Sequence, residues 1–297
     1  TMPDLIVLAA RPLRRAGVPV VLDVHDNMPE IFAEKFDLPD NHWKIRLLRA
    51  TERFAATRAD AVLTPTGTQA ARLAANRIPT DKISVIHNLP DPAVFGPRGA
   101  FLDRRDPDCF RIVYHGTLAR RLGLAVALEG LAGIRTEMDE TGPWRFEIYG
   151  GGDARSELIE RVSTLGLADR VRFSEGFLPL TELPARPAGA PLGLIPPLRL
   201  PDTDLMLPTK LLEYLYLGLP AITTATHTVS AYVRPDEAIL VHSVDPVEWG
   251  RAVLSLRRSP ERARSQAERA LGFFDRHPWT GESTRLRGIV GRLLGRA

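Results

Sequence analysis

The feature that most constrains this chain is an alternation that runs, stops and then starts again. "LIVLAARPLRRAG" (5 to 17) reads as a helix closed by Gly17, and "VPVVLDVHD" (18 to 26) as a buried strand running into a polar loop. "WKIRLLRATERFAATRA" (43 to 59) has helical period, "DAVLTPT" (60 to 66) is a strand with a turn, "TQAARLAANRI" (68 to 78) a helix, and "KISVIHN" (82 to 88) a strand. Strands alternating with helices in this way predict a parallel α/β sheet. Residues 89 to 109 are rich in proline, glycine and charge and read as a linker.

After the linker the alternation resumes. "RIVYHGTL", "RFEIYGGG", "RVRFSEGF", "APLGLIP", "PAITTAT" and "AILVHS" are strands; "LGLAVALEGLAGIRTEM", "ARSELIERVSTLGL" and "LPTKLLEYLYLGLP" are helices, and two arginine-rich helices finish the chain. The restart predicts two Rossmann-like units facing each other across a cleft, with ligands beyond the carboxyl ends of the strands. The expected division is residues 1 to 98, residues 99 to 276, and a C-terminal helix, 277 to 297, crossing back to the first unit.

Composition narrows the function classes. A length of 297 residues suits about two domains. No apolar run approaches the roughly 18 residues of a membrane-spanning helix, and the first residues lack a signal-peptide layout. A lone Cys109 rules out an internal disulfide and a multi-cysteine zinc site, which fits a cytoplasmic location. Of 39 basic residues only Lys35, Lys44, Lys82 and Lys210 are lysines. The arginines are spread without aromatic interleaving, so nucleic acid is not an expected partner.

Several strand ends carry candidate chemistry. In "YHGTLARRLG", Gly116 lets backbone approach a phosphate, Thr117 follows it, and Arg120 and Arg121 are placed to neutralise a diphosphate. A plain strand-to-helix turn with solvated arginines explains the same residues equally well. Gly150, Gly151 and Gly152 in "IYGGGD" permit positive φ and close ligand approach, or simply a tight turn. In "LPTKLLEYLYLGLP", Pro208 suits the first helical position and Gly218 the C-terminal cap. Leu207 and Thr209 then lie at the positive end of the helix, and Lys210 and Glu213 share a face. The pair reads either as an ordinary ion pair or as a ligand grip, the glutamate accepting from vicinal hydroxyls. His25, between Asp23 and Asp26, stands at a strand end; Asn88 and Asp91 read as turn formers.

In order, these pieces resemble a retaining glycosyltransferase of the GT-B fold, family 4. The resemblance rests on "LDVHDNMPE", "ADAVLTPT" with "KISVIHNLPD", "IVYHGTLARRLGL", "FEIYGGGD", "DRVRFSEGFLPLTELP", "LGLIPP" and "LPTKLLEYLYLGLPAI", and so covers nearly the whole chain. It implies a nucleotide-diphosphate sugar held mainly by the second unit and a glycan or lipid-linked acceptor by the first. Glu213 matches the second glutamate of the family's E-x7-E motif, which holds ribose hydroxyls. The first glutamate falls on Leu205, a departure that leaves sugar recognition open. The family's diphosphate-binding basic pair is altered, its G-R…K-G reading here as Gly116-Thr117…Arg121-Leu122-Gly123. Arg121 is the candidate phosphate clamp, with Arg120 behind it and Lys210 as the candidate second charge, and His25 matches the histidine near the reacting sugar carbon.

The resemblance further implies transfer without a cofactor or bound metal; "DTD" (202 to 204) has Asp-x-Asp spacing but precedes a helix of the wrong unit. It implies a longer N-terminus than one starting at Thr1, so the first unit is expected to be incomplete. Peripheral contact with the inner face of a membrane is a further expectation, from basic faces in 11 to 17 and 43 to 58. A non-catalytic nucleotide-sugar binder and a GT-B-fold epimerase remain as alternatives.

Overall fold

The computed structural model describes residues 4 to 103, 108 to 179, 182 and 190 to 295, so parts of the linker and of "DRVRFSEGFLPLTELP" lie outside the described residues. The backbone packs into two compact units. The first comprises Thr1–Asn88, Leu200–Leu207 and His277–Ala297, the second Leu89–Arg199 and Pro208–Arg276.

The first unit holds a three-stranded parallel sheet of β1 (Val21–Asp23), β2 (Ala61–Thr64) and β3 (Ile83–Val85), in that order. Alternation along β2 sends its side chains to both faces. Val62 packs with Leu22, Ala55, Ala56 and Leu73, whereas Ala61 and Leu63 meet Ile289 of the C-terminal helix Trp279–Leu293. Three helices on the first face are joined by charge. Arg72 reaches Glu30 at 2.7 Å and also pairs with Glu52, which is 1% exposed and accepts from Asn76 at 2.6 Å.

The second unit is a six-stranded parallel sheet. Its strands are β4 (Phe110–His115), β5 (Trp144–Tyr149), β6 (Val171–Phe173), β7 (Leu192–Ile195), β8 (Ala221–Thr224) and β9 (Ile239–Val241). The order β6-β5-β4-β7-β8-β9 makes the chain reverse direction between β4 and β7. That reversal is a topological switch point, where the loops at the carboxyl ends diverge and leave a crevice. Ile112, Tyr114, Phe146, Ile148, Leu192 and Leu194 fill the core with the helices Leu124–Gly133 and Pro246–Arg257.

Helix boundaries differ from the sequence reading where proline or glycine intervenes. Pro12 lacks the N–H for an α-helical bond, and 5 to 17 divides into a 3-10 turn, Asp4–Ala10, and a short helix, Arg11–Arg15. The helix expected over 122 to 138 breaks after Gly133 at Ile134 (φ −111°, ψ 13°) and restarts as Arg135–Glu140. In the tail, Pro260 and Pro278 help divide the expected two helices into four: Pro246–Arg257, Pro260–Ala270, Phe273–Arg276 and Trp279–Leu293. Met28–Lys35, a stretch to which the sequence reading assigns no helix, is helical, and the linker contains a helix, Pro92–Phe95, capped by Asp91.

Candidate functional site

The switch point of the second unit gathers most of the singled-out residues. β4 ends at His115, and Gly116 follows with φ 115°. Backbone ladders continue past the strand ends: Gly116 N–H donates to Tyr149 O at 2.8 Å and Leu118 N–H to Gly151 O at 2.8 Å. A Cβ on Gly150 (φ 155°) would stand 1.9 Å from Gly116 O, and one on Gly152 2.3 Å from Leu118 O. Gly150 and Gly152 are therefore required by backbone-to-backbone contact with 116 to 118. Gly151 in turn faces Phe177.

The helix behind this loop pair is Thr209–Leu217. Pro208 is its N-cap (φ −62°, ψ 124°), one position earlier than expected, and Gly218 closes it in the left-handed region at φ 76°. Thr209 is exposed at its first position; Leu207 falls in the 200 to 207 segment that packs with the first unit. Leu205, at the place of the family's first glutamate, lies in a 3-10 turn, Thr203–Leu205, of that same segment.

Lys210 and Glu213 do not pair with one another. Lys210 donates to the Tyr114 hydroxyl at 2.9 Å, with its ammonium 4.3 Å from the ring centroid. Tyr114 passes the connection on, donating to Thr117 O at 2.6 Å. Lys210 lies so close to Gly116 that a Cβ there would stand 3.1 Å from its Nζ. Burial, opposed by Glu213 and assisted by the charge of Arg121, lowers the Lys210 pKa to about 8. Burial likewise holds the Tyr114 phenol above its ordinary value.

Glu213 turns the other way. It accepts from His115 Nε2, while His115 Nδ1 is 2.9 Å from the Tyr214 hydroxyl. The sequence reading missed His115, Tyr114 and Tyr214. The available signal was the pair Tyr114-His115 directly before Gly116: a polar or titratable side chain at the carboxyl end of a buried strand faces the ligand end of the sheet.

The arginines separate. Arg121 is half-buried, its carbonyl accepts from Leu198 N–H at 2.9 Å, and its charge bears on both Lys210 and Tyr114. Arg120 is exposed and its Nε donates to Glu157 at 2.6 Å. Among the described residues no group of His, Cys, Asp and Glu is arranged to hold a metal ion.

In the first unit, His25 follows β1 as part of a small polar cluster. Its Nε2 is 2.8 Å from Asp23 Oδ2 and its Nδ1 3.1 Å from Asn88 Nδ2. The carboxylate accepts, so Nε2 carries the proton and Nδ1 accepts from the amide. The Asp23 hydrogen bond, opposed by burial, raises the His25 pKa above its ordinary value. Gln69 fixes the loop by donating to His25 O at 3.2 Å.

Family comparison adds to this geometry. Residues 2 to 89 match the model of a glycosyl transferase 4-like domain. Residues 109 to 259, half of the chain, match glycosyl transferases group 1. The chain belongs to the group 1 glycosyl transferases. Solved structures agree at the level of fold. Sucrose-phosphate synthase from Thermosynechococcus elongatus aligns with TM-score 0.76 at 17% identity, over 99% of this chain and 73% of that one. HepE of Anabaena, solved in complex with UDP-glucose, aligns with TM-score 0.74 at 15% identity, over 96% and 75%. WaaG, a glycosyltransferase involved in lipopolysaccharide biosynthesis, aligns with TM-score 0.67 at 18% identity, over 87% and 71%. This group 1 transferase thus has the GT-B fold. No curated protein matches its sequence. Among its described residues no helix is long and apolar enough to cross a membrane.

Proposed function

We propose that this group 1 glycosyl transferase moves a sugar from a nucleoside-diphosphate sugar to a glycan or lipid-linked acceptor with retention of anomeric configuration. The observation that carries the reading is Lys210. A lysine held among protein groups at a switch point, with no ion-pair partner among the described residues, is a cation awaiting an anion. A diphosphate between Lys210, Arg121 and the Thr209 and Lys210 amides supplies that anion, since the backbone bonds of this helix start only with Leu211 N–H, which donates to Pro208 O at 3.0 Å. Gly116 and Thr117 present backbone beside it, Arg120 adds charge from the rim, and the 150 to 152 loop supports 116 to 118. Glu213 accepts from the ribose hydroxyls.

Loosening of the anomeric C–O bond pushes the bonding electrons onto the departing diphosphate. Lys210 and Arg121 stabilise that growing charge, an electrostatic contribution that commonly dominates such steps. His25 is assigned to the reacting sugar from the first unit, with Asp23 and Asn88 orienting its ring. No step is routed through a metal, so activity is expected to persist in a chelator.

The acceptor side has a specific support. Helix Trp43–Arg58 exposes Trp43, Leu47 and Phe54 along one stripe, flanked by Lys44, Arg46, Arg53 and Arg58. Glu52, its only acidic residue, is buried on the opposite side. An apolar crest between cations suits the surface of an anionic bilayer and hence a lipid-linked acceptor on the inner face of a membrane.

The test is a panel of nucleotide sugars offered with membrane extract, products being read by mass spectrometry and the new linkage by NMR. A glycosylated product with the donor's anomeric configuration is expected. Inversion overturns the retaining assignment; nucleotide binding without turnover favours a non-catalytic binder, for which Leu205 in place of glutamate is the supporting observation; and a changed donor sugar without transfer favours an epimerase.

A further inference from the structure

The strand end that carries Gly116 also carries His115, which the proposed chemistry does not use, and its surroundings are built to engage it fully. His115 is 6% exposed and Tyr214 is fully buried. Their rings meet edge-on, 5.0 Å between centroids at 82°. Tyr214 reaches β4 by lying over β7 at Gly193, which pairs with Val113 of β4. A Cβ on Gly193 would stand 2.3 Å from the tyrosine ring. A glycine in one strand, a tyrosine on the helix and a histidine in the next strand therefore form one interlocked arrangement ending on the Glu213 carboxylate.

The protons follow from donor inventories. A carboxylate only accepts, so His115 Nε2 carries the proton that Glu213 Oε2 receives. With a single ring proton, on Nε2, Nδ1 is left to accept, and the Tyr214 hydroxyl, 2.9 Å away, is the donor. Burial and the nearby Glu213 charge hold the Tyr214 phenol well above its ordinary pKa, so the hydroxyl keeps its proton. Without that donor the ring is free to carry its proton on Nδ1, which turns an Nε2 lone pair toward the carboxylate.

We infer that His115, fixed by Tyr214, is a positioning residue for the ribose-binding carboxylate of Glu213, tying one oxygen to protein so that the other faces the vicinal hydroxyls of a nucleoside diphosphate. This rests on the ribose role proposed for Glu213. The relay selects for an intact 2′,3′-diol rather than for nucleotide in general. A flexible glutamate would bind with lost side-chain entropy and without a fixed direction; a tethered one presents its acceptor in advance.

The test uses the full 297-residue chain and titrates UDP, ADP and GDP, taking the tightest of them forward together with its 2′,3′-dideoxy analogue. A charge-assisted hydrogen bond to the diol predicts that the wild-type chain prefers the intact nucleotide by roughly tenfold to a hundredfold. His115→Leu should bring that ratio to within about threefold of unity while leaving affinity for the dideoxy analogue unchanged. His115→Gln, whose amide nitrogen places a donor near the Nε2 position, should restore most of the ratio, and Tyr214→Phe should lower it partially. Retained dideoxy affinity shows that each variant is folded, and a purely structural role would lower both affinities together. If Glu213→Ala abolishes the preference while His115→Leu and Tyr214→Phe both keep it, the positioning inference is overturned and the ribose role stands. If Glu213→Ala keeps the preference, or none of the nucleotides binds, the ribose role fails and takes the inference with it.

Discussion

Replacing Lys210 by methionine separates what this residue does for binding from what it does to stability. A shift from 10.5 to about 8 corresponds to roughly 3 kcal/mol of penalty on keeping the ammonium charged in the fold at neutral pH. Against this stand the hydrogen bond to Tyr114 and the contact with its ring, together about 1–2 kcal/mol. Lys210→Met removes both contributions and fills a similar volume, so the variant should be more stable than wild type by about 1–2 kcal/mol at pH 7. The pH dependence has a definite sign. The folded pKa lies below the unfolded one, so between about 8 and 10.5 the unfolded chain binds more protons, and wild-type stability gains as pH rises through that window. Roughly 2 kcal/mol of the penalty should disappear between pH 7 and pH 9.5, cancelling the variant's advantage. Urea denaturation of both proteins at the two pH values measures this, and diphosphate titration of the variant should show binding weakened at least tenfold. A Lys210→Met protein no more stable than wild type at pH 7, with a difference that ignores pH, would show that the ammonium is not desolvated as described.

Other perturbations test the parts around it. Gly150→Ala sets a Cβ against Gly116 O at 1.9 Å in a positive-φ position, so thermal unfolding should register a loss of more than about 2 kcal/mol together with weakened nucleotide binding. In the first unit, Arg72→Met leaves Glu30 and Glu52 buried without their shared cation and should cost about 3–5 kcal/mol in denaturant melts, a loss that removing Glu52 as well should partly recover. Asp23→Asn should lower the His25 pKa in an NMR titration, because the Asp23 hydrogen bond is the largest contribution raising it.

The parallel sheets were legible because strands buried on both faces leave continuous apolar runs, as in "AVLT" and "AITT", whose residues are all buried. The helix holding Lys210 and Glu213 was legible from Pro208 and Gly218, whose backbone restrictions act locally. What those two side chains touch was not. The i,i+3 spacing suggested a mutual contact, but their partners, Tyr114 and His115, are neighbours in a strand about a hundred residues earlier, a choice made only by sheet assembly. The glycines of "YGGGD" were recognisable as conformationally demanding, yet the neighbour that demands Gly150 and Gly152 is the 116 to 118 backbone. Met28–Lys35 was not legible because its first-turn Glu30 is buried by Arg72 and Arg49, partners from two other helices.

The carboxylate of Glu213 is the group on which donor-nucleotide binding depends most directly. Calorimetric titration of UDP, ADP and GDP into the wild-type chain and into Glu213→Ala, with unfolding curves run alongside, isolates that group. The prediction is saturable binding of at least one nucleotide by the wild type, weakened at least tenfold in a variant that remains folded at the titration temperature, although loss of the His115 acceptor costs it about 1–3 kcal/mol. Equal affinity in the two proteins, or no binding by a folded wild type, would contradict the assignment of this helix as the donor-nucleotide grip.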